Sequence, residues 1–208
     1  MIKVEKFRGK MPKVALGGLL TGSALLFVST TVVNAGNYLS NLVLGRWLGP
    51  AAFADFSLMV TFLLILTLAT ATLQMVAAKF AAAYSADQDT QKFAELRRWF
   101  NRGSWAIGLA LTVIFAVGAP FWQKFFHTES FWPFIILGVG IPFYLVQGAD
   151  RGLLQGQIRF YLLALSYQAE MWTRLILSIA LVALGWGVNG AVLGLSISWI
   201  ATWRVGRL

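Results

Sequence analysis

The chain has 208 residues, of which 58% are hydrophobic and only 12% are charged, and its mean hydropathy is +0.71. This balance lies outside the usual range of soluble domains and predicts an integral membrane protein. The formal net charge of +9 is compatible with nucleic-acid binding, but the placement of the basic residues, described below, argues against a nucleic-acid partner. The lack of cysteine excludes disulfides, thiolate metal ligands and a thiol nucleophile.

Six apolar segments follow one another along the chain, and each has roughly the length needed to cross a hydrocarbon core, about 20 helical residues. Lipid offers no partners for backbone N–H and C=O groups, so helices are predicted. We therefore predict an all-α, polytopic membrane protein in which residues 1–208 form a single unit of six transmembrane helices. The predicted spans are 14–44, 53–78, 104–122, 131–147, 160–184 and 188–203.

The first segment is long, because no charged side chain occurs from Val14 to Gly45, a run of 32 residues. A helix of this length exceeds the bilayer core, so it is predicted to tilt, bend or project beyond the membrane. The run is also longer than the apolar region of a secretory signal, which has about 7 to 15 residues, so a retained helix is predicted.

A polar stripe is predicted on this first helix. With about 100° of rotation per residue, Asn34, Asn37 and Asn41 fall on one face, and Thr30 and Ser23 extend it toward the N-terminus. Two interpretations are open. The amides either hydrogen-bond neighbouring helices as packing contacts or line a hydrated cavity.

Polar or turn-forming stretches separate the spans and are predicted to be loops. They are 45–50, 85–103, 123–130, 147–159 and 185–190. Asp87 and Asp89 have the DxD spacing of a glycosyltransferase metal site, but an exposed helix cap or loop is the preferred interpretation. His127, the single histidine, is predicted to be exposed and not to bind metal.

The basic residues lie mainly in alternate connections. The N-terminal segment, the stretch from Lys79 to Arg102, the fourth connection with Arg151 and Arg159, and the C-terminal tail together hold fourteen Lys and Arg residues. The opposite side holds two, Arg46 and Lys124. Under the positive-inside rule, both termini are cytoplasmic and the protein lies in the inner, cytoplasmic membrane as a multi-pass protein.

Two charges interrupt the fifth apolar segment. Glu170 and Arg174 lie near its middle, where each charge costs about 2.5 to 3.5 kcal/mol on insertion scales. Their i, i+4 spacing allows an ion pair within the helix, which would be a purely structural role. The functional alternative is that they face a substrate or an ion. The predicted cavity therefore comprises Asn34, Asn37, Asn41, Glu170 and Arg174, and no catalytic, cofactor-binding or metal-binding residue is predicted.

Glycines recur at four-residue spacing, most clearly at Gly148, Gly152 and Gly156. Small residues at this spacing allow close approach of two membrane helices. The pattern serves contacts within one chain as well as dimers, so it does not predict an oligomeric state.

Three stretches carry a resemblance to a known family. "NYLSNLVLGRWLGPAAFADFSLMVTFLLILTLATATLQMVAAKFAA" at 37–82, "RGLLQGQIRFYLLAL" at 151–165 and "GWGVNGAVLGLSIS" at 185–198 resemble the polysaccharide transporter family. This family contains the O-antigen and exopolysaccharide flippases of the multidrug/oligosaccharidyl-lipid/polysaccharide exporter superfamily. The similarity extends over the chain as diffuse patterns, without an invariant catalytic signature.

The resemblance implies a V-shaped transporter in which two six-helix lobes enclose a central cavity and alternate between inward-open and outward-open states. Members of the family usually have about twice as many helices as are predicted here, in keeping with internal repeats in transporters. The chain is therefore expected to form the N-terminal lobe, with a second lobe or a second copy as partner.

The leading functional hypothesis is a transporter lobe, not an enzyme, that moves lipid-linked oligosaccharide across the membrane for polysaccharide or lipopolysaccharide biosynthesis. It needs membrane lipid as its surroundings and no cofactor. Two alternatives remain open. One is small-molecule or drug antiport by the same fold, and the other is a non-transporting membrane scaffold of an envelope-synthesis complex.

The distribution of basic residues generates a topology prediction. Reporter fusions after Lys13, near Gln91 and at Leu208 should report a cytoplasmic location, and fusions near Pro50 and His127 should report the opposite side. Enzymatic reporters that are active on only one side of the membrane provide the measurement. An external location of Gln91 would contradict the predicted order of spans.

Overall fold

The computed structural model describes the backbone of residues 13–205 and the side chains of residues 20–204. Within this part of the chain, all regular secondary structure is helical, which confirms the all-α class. The basic N-terminal segment, including the Lys13 side chain, and Arg207 lie outside the described residues. The helices are α1 (Lys13–Ala86), α2 (Thr90–Phe126), α3 (Trp132–Gly156), α4 (Phe160–Ala183) and α5 (Gly187–Val205).

Helix α1 is interrupted once, at Gly49, which has φ 75° and ψ 171°. Positive φ is accessible to glycine without a Cβ penalty, and the following Pro50 has no N–H with which to continue the preceding helix. The kink divides α1 into a first arm, residues 13–48, and a second arm, residues 50–86. The loop predicted at 45–50 is therefore confined to this Gly–Pro step, and helical geometry continues closely on both sides.

Three helices among the described residues are long and apolar enough to cross a membrane, namely α1, α2 and α3. These helices indicate a multi-pass membrane protein. Helices α4 and α5 correspond in position to the fifth and sixth predicted spans. Six transmembrane helices therefore remain a prediction.

The loop predicted at 85–103 is almost entirely helical, so that prediction was wrong. Helix α1 continues to Ala86 and α2 begins at Thr90, which leaves a connection of three residues. The 37 residues of α2 span about 55 Å, well beyond a core of about 30 Å. The basic residues of this stretch therefore lie on the ends of two helices, and their side chains are exposed.

Asp89 is the N-cap of α2, which agrees with the preferred interpretation of the DxD spacing as a helix cap. Its carboxylate accepts a 2.9 Å hydrogen bond from the Lys92 backbone N–H and forms a 2.9 Å ion pair with the Lys92 ammonium. The backbone hydrogen bond, followed by that side-chain contact, lowers the pKa of Asp89. At the other end of α2, His127 is exposed, as predicted, and adopts the left-handed conformation of a C-cap.

The loop predicted at 147–159 is also mostly helical. Helix α3 continues through it to Gly156, and Asp150 and Arg151 are both buried, each 7% exposed. Arg151 is therefore not a loop charge, and the fourteen basic residues assigned to the cytoplasmic side become thirteen. Sequence reasoning placed it in a loop because glycines and charges together usually signal solvent-exposed connections.

The main apolar core lies between the second arm of α1, α2, α3 and α5. Phe134, Leu137 and Trp199 are fully buried at its centre. Cross-helix hydroxyl contacts accompany it: Thr112 donates to the Gly138 carbonyl oxygen at 2.7 Å, and Ser196 donates to that of Ile136 at 3.0 Å. The first arm of α1 contributes Leu44 to this core and contacts α4 through Ser29 and Gly36.

The glycine series on α3 packs against the second arm of α1, so it serves a contact within the chain. A Cβ at Gly148 would lie 3.1 Å from the Thr70 side chain. A Cβ at Gly152 would overlap the Gln74 carbonyl and lie 2.7 Å from Ala77, and one at Gly156 would lie 2.6 Å from the Ala81 Cβ. The two helices are therefore close enough to be in backbone contact.

This packing predicts a specific sensitivity to volume. Gly152→Ala should lower the free energy of unfolding by about 1 to 3 kcal/mol, because the added methyl forces two rigid helices apart. Thermal unfolding in detergent, followed by circular dichroism, measures the effect. Gly103→Ala is the matched control, since a Cβ at Gly103 meets nothing within 4 Å, and equal loss in both variants would contradict the packing explanation.

Candidate functional site

A cavity of about 490 Å³ lies between the two arms of α1 and helix α4, with single faces of α3 and α5 completing its wall. Its lining combines apolar residues such as Phe56, Val60 and Leu195 with a larger set of polar side chains. The polar lining residues are Thr30, Asn34, Asn37, Ser40, Asn41, Thr67, Tyr144, Arg151, Tyr167, Glu170 and Arg174. All five residues of the predicted site thus border one cavity, although their function there stays a prediction.

The asparagine stripe lies on the side of the first arm of α1 that borders the cavity. Asn34 and Asn41 are exposed, whereas Asn37 is half-buried and accepts a hydrogen bond through Oδ1 from the guanidinium of Arg174. The Thr30 hydroxyl lines the cavity but donates back to carbonyls of its own helix, and Ser23 is not part of the lining. One amide of the stripe is therefore in a helix contact and two border the cavity, and hydration of that cavity stays a prediction.

Contacts near Ser29 fix the rotation of the first arm. Gln168 of α4 donates through Nε2 to both the Oγ and the backbone carbonyl oxygen of Ser29, each at 2.9 Å. Close by, Gly36 allows Met171 to approach the helix backbone. Because these contacts hold one face of the first arm against α4, the neighbouring face with the asparagines borders the cavity.

Glu170 forms its ion pair with Arg151 and not with Arg174, which corrects the structural alternative drawn from the i, i+4 spacing. Arg151 Nη2 lies 2.7 Å from Glu170 Oε2, and Gln147 Nε2 donates to the same oxygen at 3.2 Å. The two charged side chains are only 9% and 12% exposed. The partner of Glu170 lies on α3 because that helix extends past residue 147 and includes Arg151. Arg174 points toward α1, where it contacts Asn37.

Arg151 makes further contacts that sequence reasoning missed. Its Nε donates to Ser166 Oγ and its Nη2 to the Ser166 carbonyl oxygen, both at 3.1 Å, and its guanidinium carbon lies 4.1 Å from the centre of the Tyr167 ring. A buried charge requires an opposite charge and hydrogen-bond partners of this kind. The available signal was the spacing of Gln147, Asp150 and Arg151, which places three polar residues on one face of a helix.

A second polar link joins α1 to this cluster. Gln74, on the second arm, donates through Nε2 to the Tyr167 hydroxyl at 3.3 Å and to Gln155 Oε1 at 3.0 Å. Thr67 of the second arm and Tyr144 of α3, which both line the cavity, share a 2.7 Å hydrogen bond between their hydroxyl groups. Side chains from α1, α3 and α4 are thus connected around one end of the cavity.

The charges that line the cavity do not cancel. Arg151 and Arg174 contribute two positive charges, and Glu170 contributes one negative charge. Glu170 is already paired with Arg151, whereas Arg174 contacts the neutral Asn37 and forms no ion pair among residues 20–204. The cavity therefore presents one positive charge without a counter-charge, which favours an anionic ligand.

The ion pair generates a test by double-mutant cycles. We expect Glu170→Gln and Arg151→Gln to be strongly coupled, by about 0.5 to 3 kcal/mol, because they remove the same contact. The cycle of Glu170→Gln with Arg174→Gln is the control and should give the smaller coupling. Free energies from chemical unfolding of the purified variants provide the measurement. A larger coupling energy in the Glu170/Arg174 cycle than in the Glu170/Arg151 cycle would indicate an ion pair within α4.

Comparisons with known proteins give a fold similarity and no sequence family. No family model matches the chain, and no curated protein matches it. Among solved structures, the chain is similar to one described as the outward-facing conformation of a multidrug resistance MATE family transporter of the MOP superfamily. The TM-score is 0.79 at 15% sequence identity, and the match covers 90% of this chain and 43% of that transporter.

This likeness concerns the fold alone, and the chain spans less than half the length of the matched transporter. MOP abbreviates the multidrug/oligosaccharidyl-lipid/polysaccharide exporter superfamily whose polysaccharide branch the sequence resembles. The likeness agrees with the helical fold that the resemblance implies, and the superfamily and its branch stay predictions from the sequence. The described part of the chain therefore has a fold similar to part of a MOP-superfamily transporter.

Proposed function

We propose that the chain is one lobe of a secondary transporter in the cytoplasmic membrane and that it moves lipid-linked oligosaccharide. The observation that carries the proposal is the cavity with its uncompensated Arg174, three asparagines and a buried ion pair. Both termini are proposed to be cytoplasmic, as the positive-inside rule indicates. A second lobe, from another chain or another copy, would complete the transport path.

Arg174 is the proposed contact for the diphosphate of the substrate. A guanidinium presents its N–H donors in a planar fork that matches phosphate oxygens, and such charge-assisted bonds are stronger than neutral ones. Asn37 accepts a hydrogen bond from only one guanidinium nitrogen of Arg174, so the other N–H groups can donate to a ligand. Binding of a diphosphate would therefore replace a single neutral contact by two charged ones.

Asn34 and Asn41 are the proposed contacts for the sugar. Each amide offers both donors and an acceptor, and this combination suits hydroxyl groups that also donate and accept. A cavity of about 490 Å³ lies within the range of ordinary small-ligand sites, so it has room for the head of the substrate and not for a long glycan. The polyprenyl chain would remain in lipid against exposed apolar residues of the first arm, such as Phe27 and Val28.

Glu170 is the proposed site of the coupling proton or cation. Its carboxylate holds α3 and α4 together through Arg151 and Gln147. Protonation would remove the charge that attracts Arg151, so the two helices would gain freedom to move relative to each other. Coupling of ion binding to helix movement is the requirement of an alternating-access transporter.

A second candidate is export of small molecules or drugs, because the structural neighbour is a multidrug resistance transporter. A third is the membrane scaffold, which needs the helix contacts but no ligand in the cavity. The positive surplus in the lining supports an anionic substrate over a lipophilic cation, because a cation would meet Arg174 without a compensating carboxylate.

Binding to the purified chain in nanodiscs tests the proposal. We expect a polyprenyl diphosphate oligosaccharide to bind, and Arg174→Gln to weaken binding about ten-fold to a hundred-fold through loss of a charged hydrogen bond. Arg159→Gln is the matched control, because Arg159 lies exposed at the start of α4 and does not line the cavity.

The rival functions give different results in the same assay. Tight binding of the lipophilic cation tetraphenylphosphonium with no affinity for the diphosphate would support drug export. If neither ligand binds, the result would support the membrane-scaffold function. Equal loss of affinity in the two arginine variants would show that Arg174 acts only through the overall charge of the protein.

A further inference from the structure

The face of α2 that points away from the helix bundle carries a basic and aromatic surface. On the bundle side, Phe100, Ser104 and Gly108 are buried against α3. On the opposite side, two open hollows lie next to each other and share Arg98, Arg102 and Ala106. The first hollow also contains Glu95, Trp99 and Gly103, and the second contains Asn101, Trp105 and Leu109.

The two hollows are shallow and widely open, because a single helix lines both of them. Their volumes are about 610 and 550 Å³, and Gly103 keeps the first one open because a side chain there would occupy free space. Trp99 is 70% exposed beside the first hollow. Trp105 borders the second and is held at 5.2 Å from the Phe143 ring. We call this surface, formed by Arg98, Trp99, Arg102, Trp105 and Ala106, the α2 outer face.

The polar half of the α2 outer face has unused binding capacity. Arg98 and Arg102 lie one helical turn apart, and neither forms an ion pair among residues 20–204. Arg98 uses its Nε for the Ala94 carbonyl oxygen at 3.4 Å, and Glu95 is the one acidic residue in either lining. In the second hollow, Asn101 Oδ1 is buried and accepts no hydrogen bond within the described structure. The surface thus offers two cations to an anionic ligand.

The other half of the same face is apolar. Toward the C-terminus, Ala106 and Leu109 continue the two hollows, and Val113 lies exposed one turn further on. The predicted span begins at residue 104, so the arginines lie at the membrane boundary and the apolar residues lie within the hydrocarbon. Tryptophans at this level are typical of membrane interfaces. A single helix face therefore matches a molecule that has an anionic head and an acyl chain.

We propose that the α2 outer face binds an anionic phospholipid of the cytoplasmic leaflet. The lipid phosphate lies between Arg98 and Arg102, and an acyl chain follows Ala106 and Leu109. A soluble phosphate would use only the polar half of this surface, and a zwitterionic lipid would bring its own cation next to the arginines. This binding is independent of the transport cavity, to which α2 contributes no residue.

Native mass spectrometry of the 208-residue chain, released from micelles that contain equal amounts of phosphatidylglycerol and phosphatidylcholine, tests the proposal. We expect selective retention of phosphatidylglycerol. Arg98→Gln/Arg102→Gln should weaken it about thirty-fold, since each basic residue near an anionic surface contributes about a factor of five. Glycerol 3-phosphate should not compete, because it lacks the acyl chain.

The matched control is Lys79→Gln/Arg97→Gln, which removes the same charge from exposed positions that line neither hollow. Gly103→Leu is a variant without charge change that fills the first hollow and should also weaken retention. Circular dichroism and elution volume confirm that each variant is folded. Equal retention by the wild type and the arginine variant, equal loss in the lysine control, or displacement by glycerol 3-phosphate would each overturn the proposal.

Discussion

The ion pair between Arg151 and Glu170 connects the packing of this protein to its cavity. In a low-dielectric interior, neither charge is tolerable alone, and the 2.7 Å contact requires α3 and α4 to stay in one relative position. Ser166 accepts hydrogen bonds from Arg151, and Gln147 donates one to Glu170. The wall of the cavity is therefore held by polar contacts, whereas the core on the other side of α3 is held by apolar packing.

The kink at Gly49 is the second constraint, because it brings two arms of one helix to the same cavity. The second arm is fixed against α3 by the glycine series and by Gln74. The first arm contacts α4 through Ser29 and Asn37 and buries Leu44 in the core, but most of its other described side chains are exposed. This difference makes the first arm the less firmly held wall, and it carries the asparagines that are proposed to meet the substrate.

The extension of helices beyond the predicted spans changes the chemistry available at the membrane boundary. If residues 85–103 formed a loop, Arg98 and Arg102 would be independent charges. On α2 they lie one turn apart beside two tryptophans and directly before an apolar helix face. The cavity and the α2 outer face are thus separate surfaces, one inside the bundle and one toward its surroundings.

Composition and periodicity by themselves determined the helical class, the approximate positions of the apolar segments and the grouping of Asn34, Asn37 and Asn41 on one face. These properties are local, since they follow from the rise and rotation of a helix and from the exclusion of unpaired backbone groups from lipid. Asp89 as a helix cap and the small-residue contact on α3 belong to the same category.

Only the tertiary structure decided the partners of the buried charges. The i, i+4 spacing offered Arg174 to Glu170, yet Arg151 is the partner, because a side chain pairs with the nearest charge in space and α3 supplies it. Glycines and charged residues at 147–159 and 85–103 predicted loops, although both stretches are mostly helical. The sequence shows that a residue is polar, but it does not show whether a neighbouring helix covers that residue.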